Sequence, residues 1–149
     1  MSKLTIREAQ PRDVTTVHQL IHALAEDHGE SDIITVTVSQ LERALFGDHP
    51  KFGVLLAELG GKTAGFLSYM WRFSTWSGTE YLHVDDLFVN AEFRSMGVGE
   101  ALMLEARERC FSTGRKYMRW EVQENNERGI RFYKRLGAKV KIVGVCRWQ

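Results

Sequence analysis

Residues 84–110, VDDLFVNAEFRSMGVGEALMLEARERC, constrain the fold more than any other stretch of this sequence. They indicate an apolar strand, a loop that contains Gly97 and Gly99, and a helix rich in good helix formers. The first backbone N–H groups of a helix have no intrahelical partner and carry a partial positive charge, and glycine lets an anion approach them closely. The stretch therefore predicts a phosphate-binding site.

The spacing of the two glycines distinguishes between kinds of phosphate loop. A dinucleotide fingerprint needs Gly or Ala where Leu102 stands, and a P-loop needs a Lys-Ser or Lys-Thr pair that does not follow these glycines. The pattern that fits is R-x-x-G-x-G, from Arg94 to Gly99. It resembles the pyrophosphate-binding motif of the GCN5-related N-acetyltransferase (GNAT) family, in which successive amides hold the diphosphate of acetyl-CoA. The residues alone leave open a glycine-rich turn without a ligand.

The rest of the chain predicts a mixed α/β domain. Asp13 and Ser39 are candidate N-caps of two amphipathic helices, and Gly60-Gly61 indicates a hairpin turn. The predicted order is β-α-α-β-β-β-α-β-α-β, a mixed, mostly antiparallel sheet with helices on both faces. After an opening strand and two helices, the predicted elements are strands 52–58, 63–73 and 81–89, the helix up to residue 110, strand 117–123, helix 126–136 and strand 139–148.

This order is also that of the GNAT family, so the resemblance covers the whole chain. Within the family the sequence is most similar to the diamine acetyltransferases, which include spermidine/spermine and thialysine acetyltransferases. The similar stretches are IREAQPRD (6–13), FGDHP (46–50), STW-x-G (74–78), YL-x-x-D-x-FV (81–89) and FYKRLGA (132–138). The resemblance implies transfer of acetyl from acetyl-CoA to a primary amine by direct attack.

The resemblance assigns chemistry to two side chains. An alkylamine with a pKa of ~10.4 is neutral in only about one molecule in a thousand at pH 7, so a base is needed near the point of attack. Asp85 matches the family carboxylate that deprotonates the amine through water or anchors it. Tyr133 matches the family's general acid, since a tyrosine hydroxyl with a pKa of ~10 can protonate the leaving thiolate.

The resemblance also implies two sets of binding residues. The acetyl-CoA set comprises Leu87, Phe88, Val89, Arg94, Ser95, Met96, Gly97, Val98, Gly99, Glu100 and Asn126. The acceptor set comprises Asp27, His28, Trp76 and Asp85. His28 stands where the diamine enzymes have a Glu and Ser74 where the spermidine enzymes have an Asp, so a lysine analogue and a polyamine both remain open. A protein N-terminus, a protein lysine, an aminoglycoside and a non-catalytic acyl-CoA-binding module are the alternatives.

Composition limits the partners and the setting. The 149 residues suit a single domain, 1–149, and the net charge of +1 disfavours nucleic acid as a partner. His18 and His22 lack a third ligand, so we expect no metal, and Cys110 and Cys146 predict no disulfide. No apolar run approaches the ~18 residues that span a membrane, so we expect a cytoplasmic protein without a membrane partner. The family resemblance and the apolar residues 142–148 predict a homodimer.

Overall fold

A five-stranded sheet forms the centre of the computed structural model, which describes residues 3–149. The spatial order equals the sequence order, with β1 to β4 antiparallel and β5 parallel to β4. The mixed, mostly antiparallel sheet of the prediction is confirmed. The strands are β1 (Leu4–Glu8), β2 (Gly53–Leu59), β3 (Lys62–Ser74), β4 (Thr79–Val89) and β5 (Met118–Arg119).

Helices cover both faces of the sheet, as predicted. They are α1 (Val14–Asp27), α2 (Val38–Phe46), α3 (Val98–Ser112) and α4 (Glu127–Arg135), with 3-10 turns at Pro11–Asp13, Ser31–Ile33 and Ala91–Phe93. One core lies between the sheet and α1 and α2, around Val17, Leu41 and Phe66. The other lies under α3, around Leu67 and Leu102. None of the helices described over residues 3–149 is long and apolar enough to cross a membrane.

The helix caps differ in part from the prediction. Asp13 does occupy the N-cap of α1, but its carboxylate accepts hydrogen bonds from Arg7 rather than from the helix. Ser39 was the wrong cap for α2, because the N-cap is Thr37, two residues earlier, which forms a reciprocal capping box with Gln40. The Ser39 hydroxyl instead accepts a hydrogen bond from Arg43.

Two irregularities shape the central strands. Gly60 and Gly61 both have positive φ angles, 62° and 77°, and form the predicted hairpin turn between β2 and β3. Between β3 and β4 the register shifts: Ser68 lies opposite Asp86 and Tyr69 lies opposite Val84. Asp85 is therefore the extra residue of a β-bulge, a device that redirects side chains in a sheet.

The end of the chain departs from the prediction. The strand expected over residues 117–123 is reduced to Met118–Arg119, and the strand expected over residues 139–148 is not formed. Residues 138–149 have no regular secondary structure, and their apolar side chains, including Val145 and Trp148, are exposed. A β-prone segment becomes a strand only when an edge is there to pair with it.

Candidate active site

Strands β4 and β5 separate shortly after they meet. Their parallel pairing joins Leu82 to Met118 and His83 to Arg119, and no described residue pairs with β4 on that side beyond His83. The second half of β4 therefore has an open edge facing the end of β5. Unpaired main-chain groups at such an edge are free to bind a ligand.

The direction of the β4 amides follows from the bonds on the closed side. The N–H of Asn90 donates to Ala64 on β3, and the N–H of Asp86 donates to the Ser68 hydroxyl. The backbone N–H groups of successive residues in a strand point to opposite edges of that strand. The N–H of Phe88 therefore also points toward β3, whereas the N–H groups of Leu87 and Val89 point toward the open edge. Phe88 was predicted to bind acetyl-CoA, but its amide faces β3 and its side chain lies in the core under α1.

The predicted glycine loop ends at the start of α3. Ser95 and Gly97 have left-handed backbones, with φ angles of 62° and 81°, and Ser95 is the one non-glycine with positive φ in residues 3–149. Such strain in a non-glycine residue is typical of functional loops. Gly97 is the N-cap without a side-chain cap, and the first helical bond runs from the Ala101 N–H to the Gly97 carbonyl. The N–H groups of residues 98–100 consequently have no partner in the helix.

Arg94 connects this loop to its neighbours. Its Nε donates to the Val89 carbonyl at 3.0 Å, and its Nη2 donates to Asp27 Oδ1, also at 3.0 Å. Asp27 was predicted to bind the acceptor amine, yet here it neutralises Arg94 at the end of α1, beside exposed His28. The salt bridge brings Asp27 and Arg94 together. Each side chain is thereby partly neutralised by the other, so each attracts a charged ligand less strongly than an unpaired side chain would.

Helix α4 forms the opposite wall of the opening. Asn126 caps it by accepting a hydrogen bond from the Gly129 N–H at 2.9 Å, so the amide predicted to bind coenzyme A also fixes the helix start. A Cβ on Gly99 would lie 3.6 Å from Phe132 and 3.8 Å from Val89, which shows that α4, α3 and β4 meet at this point.

Tyr133 follows Phe132 on α4 and lies beside the end of β5. Its ring centroid is 5.3 Å from that of Trp120, the residue directly after β5. Burial raises the pKa of Tyr133, so the hydroxyl stays protonated at neutral pH and can donate a proton. No described residue hydrogen-bonds this hydroxyl, which leaves it free for a ligand.

Asp85 lies at the bulge where β4 leaves β5. Its Oδ1 is 3.4 Å from Nε2 of His83, and its side chain is 39% exposed. Burial raises the pKa of the Asp85 carboxyl, and the nearby His83 and Arg72 oppose that shift. Asp86 lies next to it and accepts a hydrogen bond from the Ser68 hydroxyl. A carboxylate with a raised pKa at the mouth of an opening is suited to accept a proton.

Other features lie away from this opening. Trp76, a predicted acceptor contact, lies in the turn between β3 and β4, is 100% exposed, and is not brought to Asp85 within this chain. A groove of about 540 Å³ beside Phe46, Phe52 and Tyr69 contains none of the predicted site residues. We place the candidate site at the open β4 edge because the unpaired amides of Leu87 and Val89 lie there, close to Asp85.

Sequence reasoning missed His83. It considered His18 and His22 as metal ligands and His28 as an acceptor contact. The useful signal was the spacing of His83 and Asp85, two residues apart on a strand. No cluster of three or more His, Cys, Asp or Glu side chains suited to a metal occurs in the part of the chain that the structure describes.

Comparison with known proteins identifies the family of this chain. The family model described as Acetyltransferase (GNAT) family matches residues 17–138. The chain belongs to the GNAT family. It is therefore an acyltransferase, and the GNAT resemblance seen in the sequence is confirmed.

The curated GNAT relatives are similar over nearly the whole chain. Thialysine N-epsilon-acetyltransferase from Bos taurus is 30% identical over an alignment of 147 positions, and the alignment covers 93% of this chain and 86% of that protein. The same enzyme from Sus scrofa is 29% identical with the same coverage. Spermidine/spermine N(1)-acetyltransferase-like protein 1 from Homo sapiens is 28% identical over 93% of this chain and 21% of its own length. The predicted likeness to diamine acetyltransferases is thus confirmed.

Solved GNAT structures share the fold. An aminoglycoside acetyltransferase from an uncultured soil metagenomic sample, in complex with sisomicin, has a TM-score of 0.85 at 18% identity and covers 98% of this chain and 96% of its own. Aminoglycoside N-acetyltransferase AAC(6')-Iy in complex with CoA has a TM-score of 0.79 at 16% identity, covering 100% and 96%. At these identities the likeness concerns the fold alone.

Proposed function

We propose that this protein transfers the acetyl group of acetyl-CoA directly to a primary amine of a small diamine, polyamine or lysine analogue. The observation that supports the proposal most strongly is the opening between β4 and β5, where outward-facing amides of Leu87 and Val89 lead to the unpartnered N–H groups at the start of α3. Acetyl-CoA supplies an activated thioester, and a row of donors is what its carbonyl and diphosphate require.

The chain's own residues then divide the remaining work. Asp85, partly exposed beside the opening, accepts a proton from the amine, directly or through water. Tyr133 donates its proton to the departing sulfur. The amides of Leu87 and Val89 stabilise charge on the carbonyl oxygen, and the α3 amides with Asn126 hold the cofactor.

One charge favours an acceptor that carries its own carboxylate. Arg72 alternates with core-facing Trp71, so it lies on the same face of the sheet as His83 and Asp85. It is exposed and forms no salt bridge within residues 3–149. Asp85 attracts an ammonium group, whereas Arg72 attracts an anion and repels a second ammonium. An amino acid with a distal amine, such as a lysine analogue, matches this pair better than a polyamine does.

A panel of amines assayed by thiol release tests the proposal. With acetyl-CoA, we expect thialysine and lysine to be acetylated with higher kcat/KM than putrescine and spermidine. In the variant Arg72→Gln the ratio of kcat/KM for thialysine to kcat/KM for putrescine should fall about tenfold, because an ion pair to the carboxylate of thialysine is lost. The value of kcat/KM for putrescine itself should not fall. Preference for polyamines in the parent enzyme would contradict the assignment of Arg72.

The same panel separates the alternative functions. An N-terminal peptide, a lysine-containing peptide and an aminoglycoside are included as acceptors. Turnover with one of these alone would replace the small-amine proposal. Calorimetric binding of acetyl-CoA without turnover on any amine would support a non-catalytic acyl-CoA-binding module.

The exposed end of the chain supports a homodimer. Ile142, Val143, Val145 and Trp148 lie in the unpaired segment 138–149, and all four are exposed in a single chain. Apolar side chains concentrated in this way are typical of an interface. Light scattering should give twice the mass of the chain, and the variant Val145→Asp should give the monomer mass, whereas a monomeric parent would contradict the proposal. The cytoplasmic location stays a prediction.

A further inference from the structure

His83 is a buried ionisable side chain that the proposed chemistry has not yet used. The residue is 8% exposed, and it alternates with Leu82 and Val84, which belong to the core under α3. Its ring therefore lies on the other face of β4, the face of α1 and α2. Its Nδ1 atom is buried and has no hydrogen-bond partner among residues 3–149. Buried polar atoms normally have partners, so this ring needs an explanation.

The other nitrogen of the ring points to the candidate base. Nε2 lies 3.4 Å from Oδ1 of Asp85, in contact but roughly 0.5 Å longer than an ordinary hydrogen bond. His83 and Asp85 are two residues apart on β4, and Asp85 is the extra residue opposite the Ser68 and Tyr69 step. Catalytic hydrogen bonds are often long before the substrate binds and shorten in the complex.

The two unequal nitrogens indicate which tautomer is present. A protonated Nδ1 would leave an N–H donor buried without an acceptor, which costs more than burying an unshared lone pair. The proton therefore belongs on Nε2, which faces Asp85. Burial lowers the pKa of His83, whereas the negative charge of Asp85 raises it. Burial is the larger effect, so the ring is neutral near pH 7.

Charged groups surround the pair from three sides. Arg72 faces it from β3, Asp86 lies beside it on β4, and Arg119 and Glu121 lie in and just after β5. Their charges have both signs, two positive and two negative by their residue types. Because these charges have both signs, they do not all shift the pKa of Asp85 in the same direction. A substitution of His83 alone therefore tests its direct contact with Asp85.

We propose that His83 is a positioning residue: as a neutral imidazole it donates its Nε2–H to one oxygen of Asp85 and directs the other oxygen toward the acceptor amine. This inference rests on the proposed function, since it assumes that Asp85 receives the amine proton. An N–H bond of the ammonium breaks, an O–H bond forms on the free oxygen of Asp85, and His83 stays neutral throughout.

The pH profile of kcat/KM in two variants tests this role. Asp85 must be ionised to accept a proton, so its pKa sets the acid limb of the profile. His83→Leu removes the donor and destabilises the carboxylate, so the limb should move about one pH unit higher. His83→Gln retains an N–H donor near the position of Nε2, so its limb should stay within a few tenths of a unit of the parent's. A merely structural role would lower kcat/KM at every pH without moving the limb.

Other outcomes would overturn the inference. An unmoved limb in His83→Leu excludes the hydrogen bond, and a limb that disappears in His83→Gln shows that His83 itself titrates. Nitrogen NMR of the parent protein needs no variant: a protonated Nε2 and a bare Nδ1 at pH 7 are expected, and the reverse pattern refutes the proposal. Asp85→Asn separates the two levels, because an acid limb that persists there removes Asp85 as the base, whatever His83 does.

Discussion

Replacing Tyr133 with Phe is expected to lower kcat by about 100- to 10,000-fold, the usual contribution of a positioned general acid. The dissociation constant of acetyl-CoA should stay within a few-fold of the parent value, because the ring remains and only the hydroxyl is lost. Burial already raises the pKa of this hydroxyl, so it is protonated throughout the working pH range. Steady-state turnover on the best amine and calorimetry with acetyl-CoA give the two quantities.

The structure makes this substitution a clean test. The Tyr133 hydroxyl has no hydrogen-bond partner among the described residues, while its ring packs on Trp120. Removing the oxygen should therefore change the melting temperature by less than about 2 °C. Tyr117→Phe is the matched control, because the ring centroid of Tyr117 lies 4.7 Å from that of Tyr81 in a stacked pair and Tyr117 takes no part in the proposed chemistry. Equal turnover in Tyr133→Phe and Tyr117→Phe would remove Tyr133 from the mechanism.

The parts of the site that follow from adjacent residues could be predicted from the sequence. The strand, the glycine loop and the start of α3 depend on Gly97 and on the helix formers after it, all within one short stretch. The same holds for the turn at Gly60 and Gly61 and for Asn126 at the start of α4. Local backbone preferences decide such features, so they can be read without knowing the rest of the fold.

The parts that depend on distant residues could not be predicted. The bulge at Asp85 exists because of how β3 aligns with β4, and it leaves Asp85 without a partner on β3 while Asp86 contacts Ser68. In a regular strand without the bulge, the side chains of Asp85 and Asp86 would point to opposite faces of the sheet. Arg94 and Asp27 are 67 positions apart in sequence, and only the packing of α1 beside the glycine loop reveals their salt bridge.

The failed strand at the end of the chain has a similar cause. Residues 139–148 have the β-prone composition of a strand, but in a single chain they find no edge to pair with. The pairing of β5 with β4 ends at His83 and Arg119, because the two strands separate there. The same separation that creates the opening proposed to bind acetyl-CoA thus leaves the following segments without a sheet to join. A second copy of the chain is what the proposed dimer would supply.

Introducing a negative charge at Gly99 is expected to abolish most acetyl-CoA binding without harming the fold. Gly99 is the second residue of α3, and a Cβ there would make only ordinary contacts with Phe132 and Val89. An acidic residue in a first turn stabilises a helix by about 0.3–1 kcal/mol, so Gly99→Asp should melt at the parent temperature or slightly higher. Toward a diphosphate about 5 Å away, the same charge costs about 3 kcal/mol at an effective dielectric constant of 20. The dissociation constant should therefore rise at least about 100-fold.

The uncharged variant Gly99→Asn decides whether charge is the cause. It has nearly the same size as Gly99→Asp, so it meets Phe132 and Val89 in the same way and should weaken binding only a few-fold. Calorimetry with acetyl-CoA and with a pantetheine thioester adds a second comparison, because the fragment lacks the diphosphate and should bind the two variants equally. If the Asp and Asn variants bound acetyl-CoA with equal affinity, the diphosphate would not lie at the start of α3. The thioester would then have no reason to lie along Leu87 and Val89, and the assignment of Asp85 and Tyr133 would lose its basis.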